Sequence, residues 1–148
     1  MSITLISPLS IQLSREKKFI LNLNNYRNLY FRTLNKSKIY YKDYMKPQIE
    51  NEVYYNLQQI AVVYKVFKGD ARRFDIGNVA SIHQKYFEDA FVELGKIEDD
   101  RARNIPLTVF CFGGIDRERP RVEITIYDLK DRTDKAKFFS DLRELKYE

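Results

Sequence analysis

The sequence of 148 residues has a single cysteine, Cys111, and a single histidine, His83. One cysteine excludes an internal disulfide framework and a cysteine-based zinc site, and one histidine excludes a histidine-rich metal site. Cys111 is expected to fill core space and His83 to be an ordinary helix residue. Any metal ion bound by this chain would therefore need carboxylate ligands.

Long apolar runs are absent as well. No stretch of about 18 apolar residues is present to cross a membrane, and the N-terminus lacks a basic segment followed by an apolar one. We therefore expect a cytoplasmic protein without a cleaved leader. With 5 Gly and 4 Pro against 44% apolar residues, the composition predicts a folded core, and the length predicts one domain over residues 1–148.

Positive charge is concentrated in the N-terminal third. Residues 1–50 contain nine Lys or Arg and three Asp or Glu, whereas residues 51–105 contain eight and nine, and residues 106–148 contain nine of each. Asn, Tyr and Arg alternate between positions 22 and 32. Such a mixture suits a polyanion, because amides and guanidiniums donate to phosphate and tyrosine rings stack on bases. A merely basic surface explains the charge equally well.

The apolar pattern predicts strands alternating with helices, and hence an α/β fold with a mixed sheet, two main helices and a C-terminal helix. The segment 59–68 is expected to be the central strand. Segments 108–112 and 121–127 are expected to form a hairpin. The other predicted elements are strands at 3–13, broken at Ser7-Pro8, and at 19–23, and helices at 34–50, 78–94 and 133–147 within a C-terminal extension of 127–148.

Two acidic segments are candidates for chemistry. In the first, Asp75 follows Arg72-Arg73 in a loop between a buried strand and a helix start, where a carboxylate could hold Mg²⁺ beside guanidiniums that bind phosphate. In the second, Asp99-Asp100 follow the same helix. Helix capping by Asp75 or Asn78 and a solvated acidic turn are the plain alternatives.

Taken in order, these segments resemble the RusA-type Holliday-junction resolvases, which are small dimeric endonucleases common in phages and prophages. The resemblance covers residues 3–127. It rests on four pieces: Asn24-Asn25-Tyr26-Arg27, then Arg72-Arg73-Phe74-Asp75-Ile76-Gly77-Asn78, then Lys85, then Asp99-Asp100.

The resemblance implies a homodimer that resolves four-way or branched DNA by paired symmetric cuts in a bacterial cytoplasm. It implies Mg²⁺, or Mn²⁺, bound by Asp75, Asp99 and Asp100, with Lys85 at the scissile phosphate. The DNA-binding residues that it implies are Asn24, Asn25, Arg27, Arg72, Arg73 and Asn78. Lys85 has a plain alternative, an ion pair with Asp89 one helical turn later.

Gly77 stands where the best-known members of that family have a second catalytic aspartate. A DNA-binding or regulatory protein that has lost cleavage is therefore the second hypothesis, and a module that binds an acidic protein partner is the third. A helix from 78 to 94 would be about 25 Å long. Asp75 could meet Asp99-Asp100 only if the helix began later, if the following loop folded back steeply, or if a second subunit completed the site.

Overall fold

Strands and helices alternate along residues 2–145, the part of the chain that the computed structural model describes. In chain order they are β1 (Ile3–Ser7), β2 (Ser10–Gln12), β3 (Lys18–Ile20), α1 (Leu23–Arg27), α2 (Phe31–Glu52), β4 (Ile60–Lys68), α3 (Ile76–Glu93), β5 (Leu107–Ile115), β6 (Arg121–Asp128) and α4 (Arg132–Arg143). Together they form one α/β domain with a mixed four-stranded sheet, a small hairpin, two main helices and a C-terminal helix.

β4 is the central strand, as predicted for residues 59–68. The strand order of the sheet is β1-β6-β4-β5, so β4 pairs on both edges, antiparallel with β6 and parallel with β5. Its residues from Ile60 to Tyr64 are all buried, which is typical of a strand covered on both faces.

β5 and β6 do not form the predicted hairpin, and that prediction is wrong. β4 lies between them, and the connection that joins them crosses the end of β4, where the Asp116 N–H donates to the Lys68 carbonyl at 2.7 Å. The parallel pairing of β4 with β5 requires a long crossover, which α3 supplies. Gly113 and Gly114, which the prediction places in the turn, lie inside β5, and the short link 116–120 joins two strands that are not neighbours.

α2 and α3 cover one face of the sheet. The buried stripe of α2 consists of Ser37, Tyr41, Met45 and Ile49, which recur every four residues. These side chains pack with the apolar face of α3 onto alternate residues of β4 and β6 in one continuous core. Burial of this apolar area at about 25 cal/mol per Å² is the main stabilisation of the domain.

α4 packs on the opposite face of the sheet. Phe138 lies against Ala61, Val63 and Tyr127, and its ring centroid is 5.2 Å from that of Tyr127. The predicted extension at 127–148 therefore contains a helix that belongs to the domain. The predicted helix runs from 133 to 147, and its residues 146 and 147 lie outside the described residues.

The N-terminal segment changes direction after Ser7, at the predicted break. β1 joins the main sheet beside β6, whereas β2 pairs with β3 in a separate hairpin. α1 follows β3 at once, and its start is capped by the Asn22 side chain, which accepts from the Asn25 N–H at 2.8 Å. A helix of one turn depends on such a cap because it contains few hydrogen bonds of its own.

α3 begins two residues before the predicted start at Asn78. Its N-cap is Asp75, whose Oδ1 accepts from the Gly77 N–H at 3.0 Å. The predicted end is confirmed, because α3 ends at Glu93 and Gly95 follows with a positive φ of 73°. Asn78, relieved of capping, is available for another contact.

A buried polar chain links β1, α2 and α3. The Ser7 Oγ lies 2.6 Å from His83 Nδ1 and 2.7 Å from the Tyr41 hydroxyl, and all three side chains are fully buried. Burial lowers the pKa of His83 from 6.5 to about 3, because a charged imidazole is poorly solvated there. His83 is therefore a neutral structural residue at physiological pH.

None of the helices within residues 2–145 has the length and apolar character needed to cross a membrane.

His83 should make stability depend on pH. A histidine with a lowered folded-state pKa stabilises the fold fully above its unfolded pKa, and this contribution is lost as pH falls from 6.5 toward about 3. We expect urea unfolding of the wild type to lose up to about 1.4 kcal/mol per pH unit across this window relative to His83→Gln. The comparison isolates His83 because the chain has no other histidine. Parallel pH profiles of the two proteins would contradict the assignment.

Candidate functional site

α3 connects the two ends of the sheet. β4 finishes where α3 begins, and β5 starts where α3 has ended, because the two strands are parallel. The 18 residues of α3 span about 27 Å. The candidate residues from the sequence therefore divide into a group at the start of α3 and a group beyond its end.

The loop that enters α3 exposes one acid and two arginines. Asp75 is exposed, and one of its oxygens is occupied by the capping bond to Gly77. Arg73 makes no ion pair with any residue of 2–145, and Arg72 makes only a loose one, 3.9 Å from Asp70. These guanidiniums remain able to bind an anion at a helix start, where the backbone N–H groups also favour negative charge.

α1 packs against the first half of α3, next to this loop. The Asn24 N–H donates to Asn78 Oδ1 at 3.2 Å, and the Lys85 Nζ lies 5.7 Å from the centre of the Tyr26 ring. The structure thus brings Asn24 to Asn78 and Tyr26 to Lys85, although Asn24 and Asn78 are 54 residues apart in the chain. These contacts join three of the four segments that carry the family resemblance.

Lys85 does not form the helical ion pair that offered a plain explanation for it. Asp89 is bound instead by Lys38 of α2 at 3.4 Å, and Lys85 remains exposed over Tyr26. Arg27 is also exposed, and neither cation forms an ion pair within the described part of the chain. Asn25 is partly committed, since its amide donates to the Ile20 carbonyl at 3.1 Å.

Sequence reasoning missed the pair Lys68 and Phe74. The Lys68 Nζ lies 5.1 Å from the centre of the Phe74 ring, which in turn packs 5.5 Å from Phe112. The pair anchors the loop on the end of the sheet and adds a cation to it. An irregular loop has no periodic pattern, so only the alternation of Lys, Arg and Phe could have indicated it.

Asp99 and Asp100 lie beyond the other end of α3. Asp99 accepts from the Asp100 backbone N–H at 2.8 Å and from Arg101 Nε at 2.9 Å, and these bonds lower the pKa of Asp99. Partial burial, together with the charges of Asp99 and Asp89, raises the pKa of Asp100. The bridge between Leu57 and Ile97 and the hydrogen bond from the Ile60 N–H to the Asn104 carbonyl place this loop beside the start of β4.

The three predicted metal ligands do not meet within one chain. Asp75 caps the start of α3, whereas Asp99 and Asp100 come after its end. From Asp75 to Asp89 alone the helix rises by about 21 Å, which is too far for carboxylates to share an ion. Among the described residues, no three His, Cys, Asp or Glu side chains form a group that could hold a metal. The residues of a single chain therefore do not fit the implied Mg²⁺ site, and a shared ion would need a second copy.

A groove of about 820 Å³ lies at the far end of α3, away from the exposed cations of the loop. Arg103 and Lys130 line it together with Glu98 and several amides. Its Arg101 is already bound to Asp99. The groove therefore has mixed charge, and it lies apart from the exposed arginines at the start of α3.

Comparison of the chain with models of protein families and with curated proteins finds no match.

Asp75 is the N-cap of α3 and also a candidate metal ligand, and two substitutions separate these roles. Asp75→Ala removes the helix cap and should lower the free energy of unfolding by about 1 kcal/mol. Asp75→Asn keeps a good capping side chain, so its stability should stay within about 0.5 kcal/mol of the wild type. Urea denaturation checks both. Equal destabilisation by the two substitutions would show that the cap is not made by the side-chain oxygen.

Proposed function

We propose that this chain is a structure-selective endonuclease of the RusA type that acts on branched DNA such as four-way junctions. One observation carries the proposal: the Asn24–Arg27 segment contacts α3 both at Asn78, where the Arg72–Asn78 loop ends, and at Lys85 in the middle of the helix. These are three of the four segments that resemble the family, and in the folded chain they lie next to one another.

The positive charge along the first half of α3 and in the loop before it supports binding to a phosphate backbone. Arg27, Arg73 and Lys85 are exposed and have no acidic partner within residues 2–145. Cations without internal partners keep their full ability to displace counterions from DNA, which dominates such binding. Arg–phosphate pairs are often bidentate and fix the orientation of the backbone.

Cleavage in this proposal requires two copies of the chain. Asp75 of one copy and Asp99 and Asp100 of a second would together supply the carboxylates for Mg²⁺ or Mn²⁺, because one chain holds them too far apart. A twofold dimer would contain two such composite sites, which matches the paired cuts that a four-way junction requires.

A second candidate is a DNA-binding protein without cleavage. The separation of the acids within one chain favours it, as does Gly77, which leaves the start of α3 with Asp75 as its one carboxylate near the helix cap. Both candidates bind junctions, and cleavage distinguishes them.

Co-expression of two inactive chains tests the composite site. Asp75→Asn and Asp100→Asn alone should each lose Mg²⁺-dependent cleavage of a synthetic four-way junction. When the two are co-expressed with different tags, about half of the dimers are mixed, and each mixed dimer has one intact site and one doubly defective site. Purified mixed dimers should therefore nick the junction once without making paired cuts.

A double variant gives the opposite expectation and serves as the control. Mixed dimers of the wild type with Asp75→Asn/Asp100→Asn have no intact composite site and should not nick. If they nick while the first mixture does not, the site lies within one chain. If the wild type binds the junction but never cleaves it with Mg²⁺ or Mn²⁺, the chain is the non-cleaving binder.

Salt dependence tests the binding surface independently of cleavage. Arg73→Gln should weaken binding to all DNA substrates and reduce the slope of log K against log salt by about 0.9, the value for one lost phosphate contact. Lys130→Gln, at the far end of α3, should leave the slope unchanged. Anisotropy titrations at several salt concentrations measure both. Equal effects of the two substitutions would place the DNA elsewhere.

A further inference from the structure

Five residues at the N-terminal end of α2 form an exposed surface of aromatic rings and cations. We call it the aromatic ledge, and it consists of Tyr30, Phe31, Arg32, Lys36 and Tyr40. The side chains of Tyr30 and Phe31 are exposed to 61% and 58% although their rings lie only 4.8 Å apart. Two large neighbouring rings that stay in solvent indicate a surface for a partner.

The cations of the ledge lie on its rings. The Arg32 guanidinium is 5.9 Å from the centre of the Phe31 ring, and the Lys36 Nζ is 5.4 Å from that of Tyr40. Neither Arg32 nor Lys36 forms an ion pair with any described residue. Arg32, Lys36 and Tyr40 recur every four residues, so they share one face of α2.

The other two cations of this half of α2 have a different task. Residues 31–42 contain Arg32, Lys36, Lys38 and Lys42 and no acid. Lys38 binds Asp89 and Lys42 binds Glu93, which fastens α2 to α3. Arg32 and Lys36 contribute nothing of this kind to the fold, so their charge remains available to a ligand.

We propose that the aromatic ledge binds unpaired bases of single-stranded nucleic acid. Rings that stack on bases, next to cations that meet the neighbouring phosphates, are the combination that single-strand binding requires. Tyr30 follows Arg27 by three residues, so this end of the ledge lies within about 11 Å of the exposed Arg27. The inference extends the proposed DNA-binding role and does not depend on cleavage.

A contact between two copies of the chain fits the ledge less well. A twofold interface through the ledge would bring the ledges of both copies together, and the Arg32 and Lys36 cations of the two copies would be crowded into one contact, where like charges repel. The cores of protein interfaces are also depleted in lysine. Single-stranded nucleic acid fits both features, because its phosphates pair with the cations and its bases stack on the rings.

Binding of three oligonucleotides without divalent metal tests the proposal. The probes are a fluorescent dT decamer, a decamer of the same backbone with abasic sites, and a blunt duplex. The wild type should bind the dT decamer more tightly than the abasic strand. Phe31→Leu/Tyr40→Leu should weaken binding to dT by about tenfold per ring, and change binding to the abasic strand by less than about twofold.

Phe139→Leu is the matched control, because Phe139 is an aromatic side chain exposed to 43% on α4. It should leave all three affinities unchanged. Arg32→Gln/Lys36→Gln should weaken binding to both single strands and lower the salt dependence. Circular dichroism of each variant checks that the helices remain.

Three results would overturn the proposal. The wild type could bind the abasic strand as tightly as dT, the ring substitutions could weaken both strands equally, or they could change the sedimentation mass and so reveal an interface between copies. The first two results would leave the proposed nuclease intact, because duplex binding at α3 does not depend on the ledge. The third would instead assign the ledge to the contact between the two copies that cleavage requires.

Discussion

The crossover from β4 through α3 to β5 is the constraint on which the rest of the structure depends. Parallel pairing of the two strands forces α3 to run the full length of the sheet, and its 18 residues hold its two ends about 27 Å apart. The loop with Arg72, Arg73 and Asp75 is thereby placed at one end. The acids Asp99 and Asp100 follow at the other, and a helix packed on this sheet cannot bend to join them.

The packing around α3 holds this arrangement in place. Ser7 connects His83 of α3 to Tyr41 of α2, and the ion pairs of Lys38 and Lys42 hold α2 along the second half of α3. α1 closes the first half through Asn78 and Tyr26. A buried polar chain fixes one geometry because each member that moved would lose a hydrogen bond that no water could replace. The cationic end is therefore a preformed surface, to which the aromatic ledge is attached.

The strands and helices with a strong hydrophobic pattern could be predicted from the sequence, whereas the pairing of the strands in the sheet could not. The buried run of β4 and the stripe of α3 identified a central strand and a helix, because burial on two faces or one face determines which residues are apolar. The predicted pairing of β5 with β6 was wrong because a short link, here residues 116–120, does not reveal that a third strand lies between the two strands it joins. In the site, the family resemblance named Asn24–Arg27, Asn78 and Lys85, and the structure brings Asn24 to Asn78 and Tyr26 to Lys85. The distance between Asp75 and Asp100 could not be predicted, because it depends on where α3 begins and ends and on how the following loop packs.

One distance tests the central claim that α3 holds the two acidic segments apart within a chain. Nitroxide labels can be placed at Arg73→Cys and Glu98→Cys, both exposed positions next to the acids, after Cys111 is replaced by alanine. With labelled chains diluted in unlabelled protein, double electron–electron resonance should give one population between about 20 and 35 Å, the range set by the helix rise. A population within about 15 Å would bring the carboxylates together in one chain and contradict the account.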